Sequence, residues 1–190
     1  MSVHVVGIGG SIRSDSQSER ALRIALSGAE DVGAKITMLS AGQIMLPFYD
    51  PSVPDRPSDA IRLIEEVRAA DGLMLVSPGY HGTVSGLVKN ALDYIEDLRH
   101  DERPYLHGRA VGCVAVSFGW QAAVTTLTAL RSIVHALRGW PTPLGSAINS
   151  RQVIFDEDGG CTDPKVADTL REIGAQVVEF AQTHVSRDFP

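Results

Sequence analysis

Five short apolar runs alternate with amphipathic stretches along this chain, and that alternation leaves few folds open to it. Residues 3–8, 35–39, 72–77, 110–116 and 140–147 have the composition and length of strands. Between them, apolar side chains recur at helical spacing. Ala21, Leu22, Ala25, Leu26 and Ala29 form one such stripe, which ends near Gly33. Residues 59–70, 85–98 and 122–137 carry three more, and a last helix spans 163–183, with Asp163 as a good N-cap and Pro164 at the first helical position. The run Leu73-Met74-Leu75-Val76 is wholly apolar, as a strand covered on both faces must be. Strands that alternate with helices in this way build a parallel, doubly wound sheet with right-handed crossovers. The 190 residues, 44% of them hydrophobic, suffice for one such domain spanning 1–190.

A flavodoxin-like strand order, 2-1-3-4-5, sets the first, third and fourth strands side by side. Each of those strands ends in a junction of small, polar or aromatic residues, at about 9–18, 78–83 and 117–121. In an open α/β sheet a ligand sits outside the carboxyl ends of the strands, so one ligand is expected to touch all three junctions. The first junction, Gly9-Gly10-Ser11-Ile12-Arg13-Ser14-Asp15-Ser16-Gln17-Ser18, is rich in hydroxyls and feeds a helix N-terminus. Such an end leaves four N–H groups without intrahelical partners and carries partial positive charge, which suits a phosphate. Arg13 adds a full charge. The spacing is neither G-x-G-x-x-G nor G-x-x-x-x-G-K-[ST], so a terminal monophosphate fits better than a dinucleotide pyrophosphate or a nucleoside triphosphate. A glycine turn with one capping serine is the plainer account of the same residues.

Charge and composition exclude other classes. Seventeen Lys and Arg against 23 Asp and Glu give a net charge of -6, without the basic cluster that nucleic acid requires. No apolar run approaches a bilayer's width and no secretory leader pattern is seen, so a cytoplasmic protein with no membrane partner is expected. Cys113 and Cys161 form neither a C-x-x-C pair nor a disulfide framework and are expected to be free thiols. Asp93, Glu96 and Asp97 fall at helical spacing and are expected to form a solvated charged face or a salt bridge to a partner subunit, not a metal or acid-base cluster.

Three segments give the chain a family likeness: Gly10-Ser11-Ile12-Arg13-Ser14-Asp15-Ser16; Leu46-Pro47-Phe48-Tyr49-Asp50; and the run from Ser77-Pro78-Gly79-Tyr80-His81-Gly82-Thr83 to Lys89-Asn90-Ala91-Leu92-Asp93. Together they resemble the NADPH-dependent FMN reductase family over residues 3 to about 180. The resemblance implies a flavodoxin-like fold, bound FMN, oxidation of NADPH or NADH, and a homodimer or homotetramer. Carried over by position, Ser11, Arg13, Ser16 and Ser18 hold the FMN phosphate. Pro78, Gly79, Tyr80, His81 and Gly82 border the isoalloxazine ring, and Ser117, Phe118, Gly119 and Trp120 close its other edge. The chain departs from the family where Gly79 replaces a frequent Glu, where His81 replaces a frequent Asn, and where the third loop is bulkier.

If FMN is bound, the cofactor carries the redox step and no side chain need be catalytic. The expectation is hydride transfer from the nicotinamide to flavin N5, then delivery of electrons in a ping-pong scheme to a small-molecule acceptor: free flavin, a quinone, an azo compound or a metal oxyanion. Backbone N–H groups of residues 80–83 are the expected donors to the flavin's N5 edge. Histidine as a residue type can carry protons near neutrality, which makes His81 a candidate proton carrier, but with no partner carboxylate nearby in sequence a role capping the turn or in a subunit contact accounts for it better. The competing function is a flavodoxin-type electron carrier that docks on proteins. The modest charge and the G-x-x-K-N-A helix favour the enzyme.

Overall fold

A computed structural model describes residues 2–13 and 16–184. Its central sheet runs β2 (Lys35–Leu39), β1 (His4–Gly9), β3 (Gly72–Tyr80), β5 (Ala110–Ser117), all parallel. The fifth position is filled by two short strands, β6 (Trp140–Pro141) and β7 (Ser146–Asn149), which pair with successive parts of β5. The expected strand order is therefore observed, with the last strand split. Pro141 and Pro143 explain the split, because a proline has no N–H to give a ladder.

Alternation along each strand assigns the two faces. Met74 and Val76 of β3 pack with Leu22 and Leu26 of α1 (Gln17–Asp31) and with Ile173 and Val177 of α5 (Pro164–His184). Leu73 and Leu75 point the other way. They pack with Leu63 and Val67 of α2 (Ser58–Ala69), Val88 and Leu92 of α3 (Gly86–Asp93), and Leu130 and Val134 of α4 (Trp120–Ala136). α3 stops at Asp93 and continues as a 3₁₀ turn over Tyr94–Leu98, where a single helix to residue 98 was expected. One buried cation serves this layer. Arg109 is 1% exposed and donates to the carbonyls of Arg68, Ala70 and Tyr105, closing the C-terminal end of α2. Burial lowers its pKa to about 10, so it remains charged at neutral pH.

Two boundaries differ from the sequence reading in ways that matter for function. β3 does not break at Pro78 but runs on to Tyr80 and turns back through β4 (Thr83–Val84) as an antiparallel hairpin. Pro78 sits at the last parallel pair with β5, at the end of that ladder, where a proline is tolerated. α1 begins at Gln17 rather than near Ala21, because Ser16 caps it: the Ser16 side chain accepts from Glu19 N–H. Among the described residues no helix is long and apolar enough to cross a membrane.

Candidate functional site

The C-terminal ends of β1, β3 and β5 enclose a cleft of about 420 Å³, within the usual range for small-molecule sites, about 300–1,000 Å³. Its floor at one end is the start of α1. Ser16 Oγ accepts from Ser11 N–H at 3.1 Å and from Glu19 N–H at 3.2 Å, and lies 3.1 Å from Ser18 Oγ. Those two N–H bonds occupy both acceptor positions of the Ser16 hydroxyl, so Ser16 must be the donor to Ser18. Ser18's own hydroxyl hydrogen is thereby released for an acceptor outside this cluster. Ser11 Oγ in turn accepts from Arg13 N–H at 3.2 Å. The three serines are buried and Arg13 stands exposed at the rim. A set of hydroxyls, a helix N-terminus and one guanidinium is a donor set for an anion.

The far end of the cleft is made differently. Pro78, Gly79 and Tyr80 form one wall, and Val116, Ser117, Phe118, Gly119 and Ala122 the other. Tyr80 and Phe118 are 50% and 66% exposed, so two aromatic rings stand at the mouth. Gly79 is required there: a β-carbon on it would overlap Ser117 Oγ and Thr126 Oγ1. The departure from Glu at this position is thus matched by side chains that fill the space. His81 and Gly82 are the two central residues of the hairpin turn, with φ of 52° and 84°. A turn with positive φ at both central positions is the two-residue type whose twist suits a hairpin. Asn and His are among the few residues besides glycine that are enriched in this conformation, which accounts for His81 where the family often has Asn.

Ten of the thirteen residues singled out from the sequence line the cleft: Ser11, Arg13, Ser16, Ser18, Pro78, Gly79, Tyr80, Ser117, Phe118 and Gly119. The structure does not bring the other three to its wall. His81 and Gly82 form the turn beyond it, and Trp120 is the first residue of α4, half exposed, because the helix starts two residues earlier than its apolar period indicates. Five lining residues were not singled out: Gln17, Val116, Ala122, Ser150 and Ile154. Gln17 exchanges two bonds with the backbone of Phe155, and Arg20 adds a third to the same carbonyl, so the segment after β7 is strapped onto α1 and brings Ser150 and Ile154 over the cleft. Long-range ties place that segment: Gln17 lies 138 residues from Phe155, and Ser150 donates through both its N–H and its hydroxyl to the carbonyl of Ser117.

A smaller hollow of about 310 Å³ adjoins at Ser16 and is lined by Arg20, Arg23, Glu19, Asp156, Glu157 and Gly159. Its arginines are already paired, Arg20 with Glu157 and Arg23 with Glu19, and it has no apolar wall for a ring. The larger cleft is the candidate site.

The second family segment is a support for it. Asn90 donates to the carbonyls of Leu46 and Pro47 and accepts from Tyr49 N–H. Asp97 takes a two-pronged ion pair from Arg56, 2.7 and 2.8 Å, and a bond from Tyr49 OH. The Arg56 guanidinium, above all, holds the Asp97 carboxyl below the usual carboxylate range. Asp97, expected on a charged face, therefore anchors the long loop after β2.

A parallel sheet in this order, with a ligand cleft at its switch point, defines the flavodoxin-like class. Within that class the chain belongs to the NADPH-dependent FMN reductase family, whose model matches residues 3–152; it is a flavoenzyme oxidoreductase with FMN as cofactor and NAD(P)H as co-substrate. A NAD(P)H-dependent FMN reductase of Pseudomonas aeruginosa is 32% identical over 189 residues, 97% of this chain and 96% of that protein. An NADPH azoreductase of Bacillus sp. (strain OY1-2) is 27% identical over 138 residues, 72% of this chain and 74% of that one. Among solved structures, the flavoenzyme NAD(P)H:(acceptor) oxidoreductase FerB of Paracoccus denitrificans superposes with a TM-score of 0.78 at 22% identity, covering 96% of this chain and 98% of that one.

Proposed function

We propose that the cleft holds FMN with its phosphate on Ser11, Ser18, Arg13 and the start of α1, Ser16 bracing that end through its bonds to Ser11, Ser18 and Glu19, and its ring between the β3–β4 hairpin and the Ser117–Gly119 loop. The observation that carries this reading is the polarity of the cleft: hydroxyls and helix N–H groups at one end, an apolar wall with an aromatic mouth at the other. Bound there, FMN supplies the redox chemistry, accepting hydride equivalents from NADPH or NADH and returning electrons to a second substrate. The protein's part is to bind, orient and shield. Ser18 donates to the phosphate because Ser16 has released its hydroxyl for that purpose. The turn residues offer backbone N–H groups to the ring edge, and Tyr80 and Phe118 border the open side, where nicotinamide and acceptor take turns in a ping-pong scheme.

The acceptor we propose is a flat, small molecule such as a quinone, a free flavin or an azo compound. The aromatic mouth supports it, as does the similarity to azoreductases. No side chain in the cleft is assigned a chemical step. We place the enzyme in the cytoplasm as a homodimer or homotetramer; exposure of Ile12, Phe48, Phe118, Trp120 and Val124 supports association. The test is an anaerobic visible spectrum of FMN-loaded protein. NADPH or NADH should bleach the flavin bands, and steady-state double-reciprocal plots against the acceptor should be parallel. Bound flavin that neither nucleotide bleaches would sink the proposal.

A further inference from the structure

Three threonines lie close together on α4, and they spend their hydroxyls differently. Thr125 and Thr128 donate back into their own helix, to the carbonyls of Gln121 and Val124, each at 3.0 Å. That is the common habit of a helical threonine. Thr126 instead donates across to the carbonyl of Thr83, at 3.1 Å. It is fully buried, in a stripe otherwise made of Ala123, Leu130 and Val134. A hydroxyl in such a stripe costs free energy unless it is hydrogen-bonded, so the core alone would be served as well by valine. The oxygen serves the hairpin.

Thr83 closes that hairpin opposite Tyr80, directly after His81 and Gly82. The turn includes a non-glycine residue at positive φ, a conformation that persists where surrounding structure over-determines it. The ties available are few. Ser77 Oγ accepts from Ser85 N–H at 3.0 Å, behind the turn, and Ser117 Oγ reaches the carbonyl of Gly79 only at 3.4 Å. Thr126 makes the shorter of the two side-chain bonds to the carbonyls of Gly79 and Thr83.

We infer that Thr126 is a positioning residue of the flavin site: its bond to Thr83 fixes the turn whose backbone N–H groups face the ring edge. This rests on the FMN reading above. Negative charge that builds at that edge on reduction is stabilised by donors already aimed at it, not by donors that must first be ordered. Loosening the turn therefore weakens the protein's hold on reduced flavin more than on oxidised flavin, and leaves the phosphate end as it was.

The experiment is a pair of measurements on FMN-loaded protein, the affinity for oxidised FMN and the midpoint potential of the bound flavin. Thr126→Val should bind oxidised FMN within about threefold of the natural protein. Its two-electron midpoint potential should fall by about 30 mV, a tenfold change in the equilibrium between oxidised and reduced flavin. Thr126→Ser, which keeps the hydroxyl, should restore the potential, and Thr128→Val, which loses only a local bond, should leave it unchanged. A role limited to packing lowers the melting temperature without moving the potential, and that result overturns the inference. If the valine variant does not fold, Thr126→Cys keeps the size while weakening the donor, and carries the same comparison. Natural protein that binds no FMN brings down both readings; natural protein that binds it, with the valine variant unaltered in potential, brings down this one alone.

Discussion

The two ends of the cleft are built on opposite plans. At the first junction the chain ties itself: Ser16 takes N–H groups from Ser11 and Glu19 and donates to Ser18, all within eight residues from Ser11 to Ser18 plus the helix they start. At the hairpin the chain is tied by others, by Ser117 from β5 and Thr126 from α4, while its own turn contains a residue in a sparsely used conformation. A self-contained cradle tolerates change elsewhere in the molecule. A hairpin held from outside transmits it. Affinity for the cofactor is thus expected to live at the first end, and tuning of the cofactor at the second.

The strongest way to break that contrast is Gly79→Ala. A methyl group there overlaps Ser117 Oγ and Thr126 Oγ1, the two side chains that hold the hairpin, so the cost should reach about 3 kcal/mol. It should be read as a lowered melting temperature; an alanine variant that melts as before would mean that the hairpin is not packed as described, and one that also loses its flavin would place affinity at the hairpin end too. Next is Ser16→Ala. It removes the helix cap and strands two N–H groups, and should lower stability by about 1–2 kcal/mol and FMN affinity at least tenfold, read by chemical denaturation and by flavin fluorescence. Arg13→Ala sharpens the same end. FMN affinity should fall about tenfold, near 1.4 kcal/mol, with the fold intact. Unchanged affinity would assign the phosphate to hydroxyls and backbone alone. The smallest effect belongs to His81→Asn, which keeps a residue suited to positive φ: stopped-flow reduction of the flavin should stay within about threefold. A collapse in rate with FMN still bound would give the imidazole a chemical role.

The contrast also explains what the sequence made legible. Strand order, helix faces and the first junction were readable because each depends on short-range pattern: alternation along β3, helical period along α1, and hydroxyls beside a helix start. The turn at His81 and Gly82 was visible as a turn, yet its partner Thr126 was not, because a buried threonine in an apolar stripe has the same spacing as a valine would. Gln17, Ser150 and Ile154 escaped for a similar reason. Gln17 and Ile154 meet at the cleft where Gln17 reaches Phe155 across most of the chain, and Ser150 where it bonds to the carbonyl of Ser117. Asn90 and Asp97 show the converse. Asn90's motif and Asp97's charge were evident, but their work, fastening the loop that carries Tyr49 and Arg56, needed the fold to be seen.

The broken fifth strand has a consequence outside the cleft. An uninterrupted strand at a sheet margin offers a row of unpaired backbone groups on which another chain can add itself, and crowding makes that encounter frequent. Here the margin is divided into pieces of two and four residues, with Pro141 in the first and Pro143 in the gap. Neither piece gives a newcomer enough consecutive N–H groups to register against. On this side the sheet ends where the chain ends it, and the protein is protected from growing by accretion at concentrations where a continuous strand would seed it.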